Sequence, residues 1–543
     1  MGFTHFHPLV SQPSPRTILT QIQPHNRKYL LFTVFIAGMS TLALEFTVSR
    51  MLQTVYGTSN LVWANVIGLV LLFLTLGYFI GGRLADRNPQ AATFYKLTLS
   101  AGFSAIFFLL LTSYLLKQTA LAFSTLNASV LIGSFVGVIV ALALPITLLG
   151  MISPFAIRLA VSDLAEAGRI SGQIYAISTL GSLLGTWLPV LIVIPQAGSR
   201  MTVILFGGLL FFVGLFGLWS ENRASAKLYS ALLLILIPAV WLWSSGPLKP
   251  RADAIYETES AYNYIQVVRQ NECNFLLLNE GIAFHSFHCD DGSLPGISVW
   301  SSMAAAPYLN PIENWQPPEK MLVIGLAGVT IPNQYLRLFP DLIADGIEPD
   351  PQILEVGERY FALKDSRIRP IVGDGRFELN KTDGGYDVIT IDAYRVPYIP
   401  WHLTTADFFS EVQSKLSSDG VVTINVGRVP GDRRLVEAMT ATLLTVFPTV
   451  HTVDVPGSLN TILFATREPT DFENLAHHLE ENQNATDPLL PAVLQTVQAG
   501  HQPTVSGPTI FTDDIAPVET TVDSLVLNYL LQSGISALPS TNP

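Results

Sequence analysis

Val323-Ile324-Gly325-Leu326-Ala327-Gly328-Val329-Thr330 sets a pattern that three later segments repeat. They are Gly346-Ile347-Glu348-Pro349-Asp350, Val372-Gly373-Asp374-Gly375-Arg376 and Tyr386-Asp387-Val388-Ile389-Thr390-Ile391-Asp392-Ala393. Each is a short apolar run that ends in a small or acidic turn. The runs predict strands at 321–326, 342–347, 368–372, 386–392, 421–426, 450–455 and 461–465, with helices between the first five near 332–339, 351–363, 376–380 and 405–416. Continuous apolar strands alternating with helices imply a mostly parallel sheet covered on both faces. In such sheets ligands bind beyond the carboxyl ends of the strands, so residues at those ends are the first functional candidates.

Gly325 and Gly328 leave room for backbone to approach a ligand closely. Glu348 follows Gly325 at the spacing where an acid accepts hydrogen bonds from ribose hydroxyls in dinucleotide folds. Asp374, beside Gly375, is placed to accept from an adenine amino group, and Asp392 closes the fourth run at the mouth of the cleft. Acids at such junctions also cap helices, which is the competing reading for each one alone. Thr404 with Asp407 reads as a capping box, leaving Phe408 and Phe409 to packing.

Upstream, β-rich runs at 262–269, 274–278 and 282–288 predict a small β subdomain whose hairpin turns at Asn279-Glu280-Gly281. The chain's two cysteines, Cys273 and Cys289, fall in that hairpin and lack zinc spacing. With Glu280 at the turn centre they are offset by two residues, which favours two thiols over a disulfide. A domain facing an oxidising compartment would reopen the question.

Composition then changes abruptly. Residues 1–250 carry fourteen Lys/Arg and five Asp/Glu; residues 251–543 carry sixteen and thirty-seven. The first half has the composition of a membrane bundle, and the second that of an acidic water-soluble domain. Its acidity, with no basic stripe, argues against nucleic acid. Seven apolar stretches, near 29–49, 61–80, 94–116, 129–152, 174–194, 201–219 and 228–243, are long enough to cross a lipid bilayer. The first is too long, and too far from the start, for a cleavable signal peptide. Ten basic residues flank one set of helix ends and five the other, which puts the N-terminus in the cytoplasm of a multi-pass inner-membrane protein. Seven crossings would then place the soluble domain opposite the cytoplasm, whereas adenosyl ligands are cytosolic, so its side is left open. Glu45 is expected to face the bundle interior with Arg50 as partner. Gly77, Gly81, Gly82, Gly172, Gly181 and Gly185 are read as close-packing positions.

The glycine turn, Glu348, the Gly-Asp-Gly turn at Asp374 and the Tyr-Asp-Val-Ile strand ending at Asp392 resemble the spermidine synthase (polyamine aminopropyltransferase) family over roughly 255–467. The whole chain resembles membrane-fused spermidine synthase-like proteins, through Ala43-Leu44-Glu45, Gly81-Gly82-Arg83-Leu84-Ala85-Asp86, Pro400-Trp401-His402-Leu403-Thr404-Thr405 and Thr512-Asp513-Asp514-Ile515-Ala516-Pro517-Val518-Glu519. The resemblance implies a methyltransferase-type Rossmann-like sheet behind the β subdomain. It also implies aminopropyl transfer from decarboxylated S-adenosylmethionine, or a related S-adenosylmethionine or methylthioadenosine-like nucleoside, without a metal. Glu348 would hold ribose, Asp374 adenine, and Asp392 would orient or deprotonate an amine.

The departures fall on the amine side. The family's aspartate inside the glycine turn is missing, its second strand-four aspartate is replaced by Arg395, its Tyr-Gln pair reads Tyr262-Asn263, and its Tyr-His-Glu stretch falls at Val299-Trp300-Ser301. The acceptor need not be putrescine. Arg395 suits an anionic acceptor, Tyr262, Tyr394, Tyr398 and Trp401 are candidate pocket walls, and Asn263 and Gly375 join Gly325, Gly328, Glu348 and Asp374 as candidate cofactor contacts. A methyltransferase, or an adenosyl-binding sensor or transport-coupled module without turnover, is the alternative. The domains read as a polar arm (1–28), a transmembrane bundle (29–245), a small β subdomain (252–310), a Rossmann-like domain (318–467) and a C-terminal helical extension (468–543), loosely organised over 468–502. Oligomeric state is not legible.

Overall fold

The computed structural model describes residues 24–56, 60–123, 130–244, 251–279, 283–292, 297–394 and 398–533. The N-terminal half is helical: α1 (Pro24–Tyr56), α2 (Asn60–Arg87), α3 (Ala91–Phe123), α4 (Val130–Ala160), α5 (Ala167–Leu188), α6 (Ile194–Glu221), α7 (Arg223–Ser230) and α8 (Leu233–Ser244). Six helical runs among the described residues are long and apolar enough to span a bilayer. The sequence suggested seven. The difference is that 174–194 and 201–219 lie in one continuous run, Leu164–Glu221. That run nonetheless doubles back. Arg27 donates to Gln173 at 3.2 Å, and Gly181 and Gly185 abut Phe35 and Met39, so α5 runs parallel to α1. Ser40 donates to the Phe206 carbonyl and Tyr29 to that of Val213, so α6 runs antiparallel to α1. The reversal sits at Gly198, where φ is 77° and ψ 168°.

Close packing explains most of the glycines. A Cβ at Gly185 would lie 2.0 Å from the Met39 carbonyl oxygen, and one at Gly181 2.1 Å from that of Phe35. Gly77 and Gly81 similarly meet α4. Gly82 and Gly172 face open space, so the packing role expected of them is not present.

The soluble half begins with a four-stranded antiparallel sheet in sequential order: β1 (Ala254–Glu259), β2 (Tyr264–Gln270), β3 (Cys273–Leu278) and β4 (Phe284–Cys289). Strand β1 was not read from the sequence because its alternating Tyr, Glu and Thr residues remain half-exposed on a sheet edge. Residues 280 and 281 of the expected turn, and residue 282 of the strand expected after it, lie outside the described residues. Cys273 and Cys289 are disulfide-bonded, against the expectation of thiols. A register shift between Leu276 and Leu277 brings them directly opposite each other, which a count from the turn could not anticipate.

A short helix, α9 (Val299–Met303), leads into the large sheet. Its strands are β5 (Lys320–Ile324), β6 (Ile343–Glu348), β7 (Ile368–Val372), β8 (Tyr386–Ile391), β9 (Leu416–Gly427), β10 (Thr449–Asp454), β11 (Asn460–Thr466) and β12 (His501–Gln502). They lie in the order β12-β10-β11-β9-β8-β5-β6-β7. Strands β5 to β9 pair in parallel and the far edge is antiparallel. Alternation along β5 shows the layering. Met321 and Val323 pack with α10 (Thr330–Leu338) and α11 (Pro351–Tyr360); Leu322 and Ile324 pack with α12 (Gly375–Lys381), α13 (Ala406–Lys415) and α14 (Arg434–Leu444). Phe408 and Phe409 are fully buried in the second layer.

The segment 468–502 is better ordered than its composition suggested. Helices α15 (Glu473–Glu481) and α16 (Leu489–Gly500) bury Leu475, Val493, Leu494 and Val497 in the core, and β12 extends the sheet. The last helix, α17 (Val518–Ser533), packs on the opposite face through Val518, Val522 and Leu525.

Candidate functional site

Strand order reverses between β5 and β8: from β5 the chain proceeds outward to β6 and β7, then returns to β8 on its other side. The crevice at such a switch point is where open α/β sheets take ligands. Gly325 leaves β5 there and Asp392 leaves β8. The Asp392 N–H donates to the Ile324 carbonyl at 2.9 Å, and Gly325, at φ 95°, has the Asp392 carbonyl oxygen only 2.6 Å from where a Cβ would stand. A side chain at 325 would push the two loops apart. Glu348 and the Gly373-Asp374-Gly375 turn end the neighbouring strands β6 and β7, and the Gly373 N–H donates to the Glu348 carbonyl at 3.1 Å. All four expected positions therefore lie along one edge.

Their side chains do different things. Glu348 is almost wholly buried; one carboxylate oxygen accepts from the Ala327 N–H and the other from the Asp350 N–H, each at 3.1 Å. Burial pushes this carboxyl up to about 7, against the two N–H groups that favour its charged form. Asp392 is gripped by the Trp300 indole N–H at 2.8 Å and the Asn425 amide at 3.0 Å. Burial raises its pKa too, and those two donors oppose the rise. A carboxylate whose pKa is raised in this way is a stronger proton acceptor than an ordinary aspartate. Asp374 caps α12, accepting from the N–H groups of Arg376 and Phe377, while its other oxygen meets the His402 ring at 3.1 Å. The capping alternative thus holds for this acid.

Gly328 serves packing. Its N–H donates to the Ser286 hydroxyl at 2.8 Å, and a Cβ would meet Ser286 at 2.7 Å and Phe361 at 3.0 Å. Gly375 is pressed against Ile324 in the same way. The glycine turn also holds Ala327 and Val329 at positive φ, 47° and 61°. A buried β-branched residue in that region marks a tightly constrained loop.

Tyr262 is exposed, and Asn263 turns inward to donate to Asp350 at 2.9 Å. The Tyr394 hydroxyl donates to the Asn425 carbonyl and that of Tyr398 to Asp523, so both tyrosines brace the loop. Trp401 remains substantially exposed. Arg395 lies outside the described residues. Glu45 and Arg50 are not paired as expected: the Arg50 guanidinium leaves the bundle and donates to the carbonyls of Ser260 and Ala261. The helix after Trp401 is capped by Thr405, which accepts from the Phe408 N–H, instead of Thr404. Asp407 accepts from the Asp513 N–H.

Sequence reasoning missed Asp350, which is fully buried and accepts from Ser260, Asn263 and the Gln352 N–H. It also missed Asn425 on β9 and the roles of Trp300 and His402. Trp300 had a signal in the stretch where the family's amine-binding residues fall, and His402 and Asp350 stood inside quoted motifs without a role of their own. A salt-bridged cluster of Arg376 with Glu411 and Asp513 fastens the C-terminal Thr512-Asp513-Asp514 phrase onto the Gly-Asp-Gly turn. No group of three or more metal-ligating side chains is found among the described residues.

A probable polyamine aminopropyl transferase of Bifidobacterium longum is 30% identical over 280 residues, covering 49% of this chain and 61% of the relative. The polyamine aminopropyltransferase of Vibrio vulnificus is 34% identical over 143 residues, covering 26% and 47%. The human eEF1A lysine and N-terminal methyltransferase is 30% identical over 195 residues, covering 34% and 26%. A solved structure of a probable spermidine synthase from Corynebacterium glutamicum is 17% identical, with a TM-score of 0.38 over 48% of this chain and 98% of its own. No protein-family model matches. The chain spans about half to three-fifths of the length of the aminopropyltransferases it matches. These relatives support the spermidine synthase family for this chain, as its strand-end residues implied, and the apolar helices are consistent with a membrane-fused form.

Proposed function

We propose that this chain is a membrane-bound transferase of the aminopropyltransferase type, acting on decarboxylated S-adenosylmethionine or a closely related sulfonium nucleoside. The observation that carries the reading is the switch-point pair: the close-packed Gly325 turn beside Asp392, whose backbone N–H bonds the Ile324 carbonyl at the end of β5 and whose raised-pKa carboxylate is held by Trp300 and Asn425. The first aminopropyltransferase relative matches more of this chain than the methyltransferase does, 49% against 34% at the same 30% identity, which supports the aminopropyl form.

In this reading Glu348 accepts from the ribose hydroxyls and the Gly373-Asp374-Gly375 turn borders the adenine. Asp392, held by Trp300 and Asn425, receives the proton of the attacking amine. The amine nitrogen bonds to the carbon beside the sulfonium, the carbon–sulfur bond breaks, and the neutral thioether nucleoside leaves. A sulfonium needs little further activation, so alignment and one proton acceptor are what the chain must provide. Asp392 stands without the second loop aspartate that would help grip a diamine. An acceptor with one cationic end, or with an anionic group, therefore fits better than putrescine.

The bundle geometry bears on the side of the membrane. Arg27 and Gln173 mark one end; Arg50, Ser199 and the soluble domain mark the other. Basic residues crowd the first end, with Arg83, Arg87, Lys96, Arg158 and Arg169 among them. The positive-inside rule then puts the soluble domain opposite the cytoplasm, where a Cys273–Cys289 disulfide persists. This placement favours a second reading, in which the domain binds an adenosyl ligand as a sensor without turnover. Incubating the full chain in nanodiscs with decarboxylated S-adenosylmethionine and a panel of amines, and following methylthioadenosine release, decides between them. Release that Asp392→Asn abolishes supports the transferase; saturable binding with no release supports the sensor.

A further inference from the structure

The turn Glu259-Ser260-Ala261-Tyr262-Asn263 joins β1 to β2 and touches three parts of the molecule at once. From the bundle, Arg50 at the end of α1 donates to the carbonyls of Ser260 and Ala261, the latter at 2.7 Å. From the reversal between α5 and α6, Ser199 donates to one Glu259 carboxylate oxygen through its N–H at 2.8 Å and its hydroxyl at 3.0 Å. On its inner side the same turn serves the strand ends. The Ser260 hydroxyl donates to Asp350 at 2.5 Å, and the Asn263 amide donates to the same Asp350 oxygen at 2.9 Å. The Asp350 N–H in turn donates to Glu348.

We propose that Arg50, Ser199 and Glu259 are positioning residues for the nucleoside site, and that the helical bundle sets the site's affinity through this turn. Only three steps separate the bundle from Glu348: Arg50 to Ser260, Ser260 to Asp350, and the Asp350 N–H to the carboxylate. None passes through a long flexible side chain except Arg50 itself. The two bundle contacts come from different helices and hold different residues of the turn, Ser260 and Ala261 by their carbonyls and Glu259 by its carboxylate. A change in the relative position of α1 and the α5–α6 reversal therefore must move the turn or break one contact. Since buried carboxylates tolerate misaligned donors poorly, a shift at Asp350 is felt at Glu348. The bundle is thereby given a task besides anchoring: whatever binds among its helices changes how well the soluble domain holds its ligand. The affinity part of the proposal rests on the nucleoside reading above.

The experiment uses the full chain in nanodiscs, with Arg50→Ala, Arg50→Lys and the double variant Ser199→Ala/Glu259→Ala, which removes the acceptor of both Ser199 donors. Two readouts are taken: calorimetric affinity for 5′-methylthioadenosine, and hydrogen exchange at the amides of Ala327 and Asp350. Arg50→Ala is expected to weaken binding about tenfold and to speed exchange at both amides, Arg50→Lys to give a smaller effect, and the double variant to reproduce Arg50→Ala. Unchanged exchange at Ala327 and Asp350 in every variant overturns the coupling, whatever the ligand does. If wild-type protein binds no methylthioadenosine, the nucleoside reading fails by itself, and exchange alone then decides the coupling. Should Arg50→Ala fail to assemble, the other two variants carry the same test.

Discussion

Replacing Glu348 by Gln separates the two roles assigned to that residue. Its carboxyl moves from an ordinary 4.5 to about 7 on folding. At about 1.4 kcal/mol per pH unit, that difference is worth roughly 3 kcal/mol between fully protonated and fully ionised conditions. The sign follows from the direction. A raised folded pKa stabilises the protein below the unfolded value, and the benefit disappears as pH rises through about 7. The glutamine cannot ionise, so it escapes this loss. Against that, it keeps one carbonyl for two N–H donors and turns its own amide toward either Ala327 or Asp350, which costs roughly 1–3 kcal/mol at any pH. Glu348→Gln should therefore be clearly less stable than wild type at pH 5 and nearly equal to it at pH 8.5. Thermal unfolding of the full chain in nanodiscs across that range measures the convergence. Nucleoside affinity should behave differently, since ribose hydroxyls need the ionised acid. It should fall as pH drops below about 7 in wild type and be weaker by ten- to a hundredfold, without pH dependence, in the variant. Parallel unfolding curves together with an unchanged affinity would refute both roles.

Asp392→Asn should lower turnover by two to four orders of magnitude while leaving nucleoside affinity within a few-fold, as stopped assays and calorimetry on one preparation would show. Trp300→Phe removes a donor that holds the Asp392 pKa down, so the acid limb of the pH–rate profile should move to higher pH. Gly328→Ala forces a methyl to 2.7 Å from Ser286 and should cost about 1–3 kcal/mol, read as a lowered melting temperature with the bundle intact. A periplasm-active reporter fused after the last residue should be active, and a cytoplasm-active one silent, if the basic helix ends face the cytoplasm.

Much of the fold was legible because the strands are short, apolar on both faces and separated by helix signals. Met321–Ile324 alternates between two cores, and that burial is written directly in its composition. The order of the glycine turn and the three strand-end acids along one edge was legible for the same reason. What each acid does was not. Asp374 and Asp392 sit in similar local phrases, yet one caps a helix and the other is clasped by Trp300 and Asn425, residues far away in sequence. The disulfide was hidden by a one-residue register shift, and strand β1 by its exposed edge. Arg50 misled because membrane cost suggested a carboxylate partner close by; it finds carbonyls in another domain instead. Asp350 was overlooked because it stands two residues past the acid that the spacing singled out.

A cryo-EM map of the full chain in nanodiscs with saturating 5′-methylthioadenosine tests the central claim most directly. The account predicts nucleoside density in the crevice between the Gly325 turn and Asp392, with the ribose within hydrogen-bonding distance of the Glu348 carboxylate. Density bound elsewhere, or a crevice closed by Trp300 with Glu348 still held solely by Ala327 and Asp350, would contradict it.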